Sequence, residues 1–395
     1  MTTIRAAAEP LPGKSRLAAL LEHFAHIQDP RDVRRILHPL REVLLLVVCG
    51  TIADCDDYDA IADWGEAHLD FLRQHLPYTH GVPGGRWLTI LMNRINPSLF
   101  SAAFTAWVRE TWPDRPEFVA IDGKTSRRSH DRTAGEAPLH LVSAFATTSR
   151  LVLGQEAVPD KANELTAIPV LLARLGEQNG LRGALVSIDA IATNATIATA
   201  ITAAGADYLL AVKANQPTLR AEIEACFKDT PQTIASHVEH DKGHGRIERR
   251  EVSVIREVDW LSGDRRFPGE LRLPNVACLI RVQADTERAG QAPGQAHTET
   301  RYYISSATLD AARAAQAVRG HWGIENRLHW VLDVTFKEDQ SRLRKGFGAR
   351  NMAVVRHFAL NLVRNAADGK SLKLRRKRAA WATHYLNQLL LAHSR

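Results

Sequence analysis

The sequence contains little cysteine and no long apolar run. Four cysteines occur among 395 residues, and no two of them form a CxxC pair: Cys49, Cys55, Cys226 and Cys278. This scatter argues against a disulfide framework or a zinc knuckle and favours a reducing compartment. The longest apolar run, Val43 to Ala53, is too short to cross a bilayer, and the N-terminus lacks the charged-then-apolar pattern of a secretory signal. We therefore expect a soluble protein of the cytoplasm.

The composition is that of an ordinary globular protein with a basic balance. Hydrophobic residues make up 45% and charged residues 24%, and the length allows two or three domains with full-sized cores. The 51 basic residues exceed the 44 acidic residues, which leaves a formal net charge of +7. A positive balance of this kind favours an anionic partner.

The chain changes character along its length. Apolar residues recur at helical spacing in the first part, continuous apolar strands alternate with amphipathic helices later, and a polar, strand-like stretch interrupts the second pattern. We predict, in chain order, a disordered N-terminus 1–14, a helical domain 15–115 for DNA binding or oligomerisation, the first part of an α/β core 116–225, a β-rich insertion 226–300, the rest of the core 301–365, and a basic tail 366–395.

Two aspartates follow apolar runs that predict buried strands. Asp122 comes after Phe118 to Ile121, and Asp189 comes after Ala184 to Ile188. Neighbouring parallel strands deliver the residues at their C-terminal ends to one crevice, so we expect the two carboxylates to meet. Either aspartate alone is more often a turn residue or a helix cap, but the pair favours a metal site.

A third acidic residue lies on a predicted helix from Leu309 to Val334. His321, Glu325, His329 and Asp333 recur every four residues and are expected to share one face. Glu325 is the preferred third ligand and Asp333 the reserve. Zinc is an alternative, but histidines eight residues apart lie about 12 Å apart along a helix and cannot readily bind one ion. The two histidines are better suited to phosphate contacts.

Three carboxylates of this kind suit a pair of magnesium ions. Magnesium prefers hard oxygen ligands, and two ions roughly 3.5–4 Å apart can clamp the attacking and leaving oxygens of a displacement at phosphorus. The sequence therefore predicts phosphodiester chemistry, and the positive charge makes DNA the expected substrate.

Several segments resemble the H-repeat-associated, DDE-type insertion-sequence transposases of bacteria, and the likeness covers nearly the whole chain. The run His321 to Asp339 is its strongest signature, and the other segments are Ala120–Lys124, Lys161–Glu164, Ser187–Ala190, Asp207–Gln216 and His244–Arg250. Related groups carry a tyrosine and an arginine before the glutamate, where His321 and Trp322 stand here.

The resemblance implies an RNase H-like core with a β-rich insertion and Asp122, Asp189 and Glu325 as the catalytic, metal-binding triad. It implies two Mg²⁺ ions, with Mn²⁺ as a substitute, double-stranded DNA of the element ends and target, a homodimer in the synaptic complex, and a nucleoid-associated protein. The predicted DNA contacts are Lys124, Lys213, Arg246, Arg249, Arg250, Arg319, His321, Arg327 and His329. Two alternatives stay open: a domesticated relative that binds DNA without cutting it, and a nuclease of the same fold without strand transfer.

Overall fold

The computed structural model describes residues 14–130, 135, 137–158, 163–229, 236–243, 246–261, 266, 270–288 and 297–392. The predicted disordered segment 1–14 lies outside this range except for Lys14. The chain forms two compact units, one from residues 1–114, 126–139 and 331–395 and the other from 115–125 and 140–330. Among the described residues, no helix has both the length and the apolar character needed to cross a membrane.

The N-terminal part of the first unit is helical, as the spacing of its apolar residues predicts. Ser15 caps the first helix, because its hydroxyl oxygen accepts a hydrogen bond from the backbone N–H of Ala18 at 3.1 Å. The helices before the sheet are α1 Arg16–Ala25, α2 Leu40–Ile52, α3 Tyr58–Ala67, α4 Leu69–Leu72, α5 Gly85–Met92 and α6 Pro97–Thr111. Helix α2 is buried along its length from Glu42 onwards and is mostly apolar, whereas Arg41 in its first turn is exposed.

The second unit contains a mixed sheet with helices. Its elements are β1 Phe118–Thr125, β2 His140–Ala146, β3 Leu151–Ala157, α7 Glu164–Gly176, β4 Leu185–Ile188, α8 Ala195–Ala203, β5 Asp207–Val212, α9 Pro217–Asp229, β6 Ser236–Gly243, β7 Arg246–Ile255, β8 Cys278–Arg288, β9 His297–Ser305 and α10 Ala311–His321. The two buried strands predicted before Asp122 and Asp189 are confirmed as β1 and β4, while β2 and β3 form a hairpin and β5 is a further buried strand.

The described strands form one nine-stranded sheet in the order β3-β2-β1-β4-β5-β9-β8-β7-β6. Strands β1, β4 and β5 are parallel, whereas β9 is antiparallel to β5. The polar strands β6, β7 and β8, which fall in the predicted insertion, extend the same sheet through antiparallel pairing. The core and the insertion therefore share one hydrogen-bonded sheet.

Apolar clusters cover both faces of this sheet. On one face, Val119, Ile121 and Val186 pack with residues of α7 and α8. On the other face, Phe118, Leu185 and Leu209 pack with the alanine-rich side of α10. Burial on both faces explains why the central strands read as continuous apolar runs.

Two predicted boundaries differ in the structure. Strand β1 continues past Asp122 to Thr125, because β2 pairs with it from Val119 through Thr125. The single helix predicted from Leu309 to Val334 is divided: α10 ends at His321, a π-helical turn spans Glu325–His329, and α11 covers Trp330–Val334.

The C-terminal part of the chain is helical where a basic tail was predicted. Helices α12 Gly348–Arg364, α13 Leu372–Trp381 and α14 Thr383–Leu391 complete the first unit. Arg375 and Arg376 lie on α13 and are buried, whereas Lys373 and Lys377 are exposed. Part of the predicted basic tail is therefore buried and packs inside the unit.

Candidate active site

Asp122 and Asp189 occupy equivalent positions on neighbouring parallel strands. Ile121 is paired with Ile188, and each aspartate is the next residue along its chain. Apolar residues before each aspartate bury the strand, so the carboxylates emerge together where the apolar runs end. The pairing of strands confirms that these two carboxylates meet at one sheet edge.

Glu325 faces the same cleft from the first residue of the π-helical turn. The cleft has a volume of about 140 Å³. Besides Asp122, Asp189 and Glu325 it is lined by a fourth carboxylate, Glu299, which is paired with Arg301, and by Ser187, Ile188, Leu209, Ala211, Lys213, Tyr303, His321 and Trp322. Asp333, the reserve candidate, belongs to the helical unit. The structure thus brings together the three residues that the sequence favoured.

The environment of Asp122 disfavours its ionised form. Burial raises its pKa to about 7, and the negative charges of Glu164, Glu325 and Asp189 act in the same direction, although the backbone N–H of Gly123 lowers it. A carboxylate held among like charges is a group that a cation would stabilise in its ionised form.

Asp189 is in a different electrostatic state. Burial opposes its ionisation, but hydrogen bonding and charge attraction from Lys213 hold its pKa below the ordinary value. Lys213 Nζ lies 2.8 Å from Asp189 Oδ1, and the pair is about half exposed. A predicted phosphate contact is therefore engaged with a predicted metal ligand in this structure.

The two histidines of the signature run contact different parts of the site. Nδ1 of His321 is hydrogen-bonded to the Ser187 hydroxyl at 3.0 Å, and burial lowers the pKa of His321. Nδ1 of His329 lies 3.6 Å from Oδ2 of Asp122. His321 is thus neutral at neutral pH and contacts Ser187, and His329 lies near a predicted metal ligand. The phosphate contacts predicted for both histidines stay predictions.

Sequence reasoning assigned no role to a pair of side chains beside Asp122. His140 Nε2 lies 2.8 Å from Oε1 of Glu164, and its Nδ1 lies 2.7 Å from the hydroxyl of Thr125. A Cβ added to Gly123 would lie 2.1 Å from Glu164 Oε1, so only glycine allows this approach. Glu164 is the last residue of Lys161–Glu164, one of the segments that resemble the family. This resemblance is the only feature of the sequence that could have indicated a role for Glu164 near the site.

The predicted arginine contacts on strand β7 and helix α10 are paired with carboxylates. Arg246 and Arg250 face Glu248, Arg249 faces Glu251 and Asp285, and Arg319 faces Asp241 and Glu239. Arg246, Arg250 and Arg319 line a second cleft of about 360 Å³, which shares Glu299, Arg301, Tyr303 and Trp322 with the first.

Two further predicted contacts lie elsewhere on the unit. Lys124 lies on β1 and is half-buried. Arg327 is exposed; partial burial lowers its pKa, and the neighbouring charges of Arg150 and Arg319 contribute. Two stretches of the segments that resemble the family lie outside the described residues, namely Lys161–Ala162 and His244–Gly245.

The donor set fits a divalent cation chemically. All three side chains offer hard carboxylate oxygens, and their mutual repulsion contributes to the raised pKa of Asp122. Among the described residues, however, no group of three or more His, Cys, Asp or Glu side chains is already arranged to hold a metal. The carboxylates therefore share a cleft without forming a closed ligand cage.

Comparison with known proteins decides the family. The family described as "Transposase DDE domain" matches residues 113–362, well over half of the chain. The chain belongs to the DDE transposase family. A companion family, "DDE_Tnp_1-associated", matches residues 21–108 in the helical unit. The DDE transposase fold is of the RNase H-like α/β class, as predicted.

Relatives cover nearly the whole transposase chain. It is 34% identical over 384 residues to "H repeat-associated putative transposase YhhI" of Escherichia coli K12, covering 95% of this chain and 98% of that protein. It is 35% identical to "Putative transposase YncI" of Escherichia coli O157:H7, covering 96% of each. A solved structure, the piggyBac transposase synaptic complex with hairpin DNA, is similar with a TM-score of 0.43 at 11% identity, covering 97% of this chain and 85% of that one.

Family membership confirms the enzyme class and the insertion-sequence origin that the resemblance implied. A transposase acts on DNA, and DDE transposases depend on divalent metal. The triad residues, the identity and number of the ions, and the DNA contacts remain predictions.

Proposed function

We propose that Asp122, Asp189 and Glu325 form a two-magnesium site that cleaves the ends of an insertion sequence and joins the freed 3′-hydroxyls to target DNA. The observation that carries the proposal is the meeting of three carboxylates in one cleft, with the pKa of Asp122 raised to about 7 by burial and like charges. A buried carboxylate in that state favours cation binding over a purely structural role.

The three carboxylates would hold the ions, and Mn²⁺ would be accepted by the same oxygen donors. When bound, the ions would stabilise charge on the reacting phosphate and activate the attacking water or hydroxyl. Lys213 is ion-paired with Asp189, and its half-exposed amine would be placed to contact a DNA phosphate if Asp189 bound a metal ion. The Ser187 hydroxyl fixes the ring of His321 at the floor of the cleft.

The partner is double-stranded DNA, both element ends and target. Joining two ends in one event requires two active sites, so we infer that the transposase acts as a homodimer in its DNA complex. The cytoplasm, on the nucleoid, is the compartment where such DNA is available. Of the remaining predicted contacts, Lys124, Arg327 and His329 belong to the same unit as the triad.

The test uses purified full-length protein, labelled duplexes of the element end, target plasmid and Mg²⁺. Asp122→Asn, Asp189→Asn and Glu325→Gln are each expected to lower both end cleavage and strand joining by on the order of 10³-fold, because the chemistry depends on charge stabilisation. Glu257→Gln, at an exposed carboxylate of the same unit, is the matched control and should retain activity.

Retained cleavage in Asp122→Asn would overturn the site assignment. Cleavage without joining by the wild-type protein would overturn the strand-transfer part and favour a nuclease of the same fold.

A further inference from the structure

Two loops of the helical unit lie against each other and present a cluster of cations. We name Arg127, Arg128, Arg342, Arg344 and Lys345 the basic loop patch. All five are exposed, with 83% of the Arg127 side chain accessible. Among the described residues, Asp339 forms an ion pair with the patch, its Oδ2 3.6 Å from Nε of Arg127, and Arg342 lines a pocket that also contains Asp56 and Asp57. Asp56 is itself paired with Lys337, so the described cations of this surface outnumber the carboxylates beside them.

The described residues at the start of the first loop, 126–130, are anchored by hydrogen bonds. Ser126 N donates to the carbonyl of Leu139 at 2.8 Å, and Leu139 N donates to the hydroxyl of Ser129 at 2.7 Å. The Ser129 hydroxyl in turn donates to the carbonyl of Ser126 at 2.7 Å. Ser126 and Ser129 are buried, so the arginines between them project from an anchored turn.

The second loop is anchored to the helices behind it. Phe347 N donates to the carbonyl of Asn93 at 3.0 Å, and the buried amide of Asn351 donates to the carbonyls of Met92 and Ile95 at 2.7 and 2.9 Å. Gly346 has a φ of +52°, and a Cβ there would lie 2.6 Å from the Asn93 carbonyl oxygen. Lys345 therefore projects from a backbone whose path is determined by packing.

The two loops are also joined to each other. Nε of Arg344 donates to the carbonyl of Arg128 at 3.1 Å, and the backbone N–H of Arg127 donates to Asp339 at 3.4 Å. This junction brings together cations that are more than 200 residues apart in the chain. Like charges gathered at one surface repel each other, so the arrangement is unfavourable unless an anionic partner neutralises it.

We propose that the basic loop patch binds the phosphate backbone of duplex DNA independently of its sequence. The proposal rests on the proposed function for the choice of DNA over an acidic protein. Guanidinium groups match phosphate geometry, and anchored loops keep their cations in place without a large ordering cost on binding. Contacts of this class position a protein on the duplex and do not specify sequence. The patch would give the helical unit its own contact with DNA, in addition to the contacts made by the unit that carries the triad.

The experiment measures the affinity of the full-length protein for a labelled duplex of unrelated sequence by fluorescence anisotropy in EDTA, over a series of salt concentrations. The triple variant Arg128→Ala, Arg342→Ala, Lys345→Ala spares Arg127 and Arg344, whose contacts join the loops. Each lost phosphate contact removes about 0.9 from the slope of log affinity against log salt, so the slope should fall by about 3. Affinity should weaken equally on every duplex sequence.

Two further variants separate local charge from net charge and from folding. Arg35→Ala, Arg73→Ala, Arg86→Ala removes three exposed arginines of the same unit and should change the slope by less than about 1. Arg128→Lys, Arg342→Lys, Lys345→Arg keeps the charges and should keep the wild-type slope.

The proposal would be overturned if the folded triple patch variant kept the wild-type salt slope, or if the triple arginine control lost as much slope as the patch variant. An acidic protein surface would then be the alternative partner for the patch. Because EDTA prevents cleavage, this outcome is independent of the triad. If the triple patch variant has a reduced salt slope and Asp122→Asn has lost activity, both proposals are supported. If the patch variant has a reduced salt slope but Asp122→Asn is fully active, only the triad assignment is refuted.

Discussion

Single residues of the site differ in how the fold treats their charge. Asp122 and Asp189 occupy equivalent strand positions, yet the pKa of Asp122 is raised to about 7 and that of Asp189 is lowered. The reason lies in their neighbours. Burial and carboxylates dominate around Asp122, whereas Lys213 offsets the burial of Asp189. The sequence identified both aspartates but could not distinguish their protonation.

This asymmetry predicts a pH-dependent stability difference in metal-free protein. The folded-state pKa of Asp122 lies above its ordinary value of 3.8, so its contribution to stability is present below about pH 4 and lost as the pH rises through about 7. Asp122→Asn cannot ionise. The free energy of unfolding of Asp122→Asn should therefore increase relative to that of the wild type as the pH rises from 4 to above 7, by up to about 4 kcal/mol.

Urea unfolding in EDTA at a series of pH values measures this difference. Asp189→Asn is the matched control with the opposite sign: a lowered pKa contributes stability at neutral pH that is lost on acidification, and partial exposure keeps that contribution small. A difference between wild type and Asp122→Asn that does not vary with pH would contradict the raised pKa.

Among the elements, α13 combines two kinds of basic residue that look alike in sequence. Arg376 is 1% exposed; it donates to the carbonyl of Thr51 at 2.9 Å, lies 3.0 Å from Asp54, and stacks over Phe336 at 4.3 Å. Lys377, the next residue, is exposed. Helical periodicity turns neighbours to different sides, and packing decides which side is inside.

Arg376→Ala is expected to lower the free energy of unfolding by about 3–5 kcal/mol, because it leaves buried acceptors and a carboxylate without their partner. Lys377→Ala should change it by less than about 0.5 kcal/mol. Urea denaturation followed by circular dichroism compares the two. Equal effects would show that the burial of Arg376 does not stabilise the unit.

For the whole molecule, the proposed metal site links ligand binding to stability. Repulsion among Asp122, Asp189 and Glu325 is present in the metal-free fold and would be relieved by a cation. Anything that binds the folded state alone stabilises it by mass action.

Mg²⁺ at a hundred times its dissociation constant should therefore stabilise the protein by about 2.7 kcal/mol per site, and Mn²⁺ should act similarly. Thermal unfolding at constant ionic strength measures the shift, and EDTA should reverse it. Glu325→Gln should show a smaller shift, whereas Glu257→Gln should match wild type. An equal shift in Glu325→Gln would place the metal elsewhere.

Much of the fold and the site was predictable from local patterns. The continuous apolar runs before Asp122 and Asp189 determined two buried strands, because a strand covered on both faces needs apolar residues throughout. The parallel pairing then followed, and with it the meeting of two carboxylates. Helical spacing likewise predicted the helices of residues 15–115, but not those of the C-terminal segment that completes the first unit.

Other features depend on contacts between segments far apart in the chain, and only the tertiary structure decided them. The pairing of β2 extends β1 past Asp122, and the π-helical turn at Glu325 interrupts a helix whose sequence reads as regular. Glu164 reaches Gly123 from another element, and two basic loops meet across more than 200 residues. Periodicity and composition describe neighbours in sequence; charge state, side-chain partners and surface patches depend on neighbours in space.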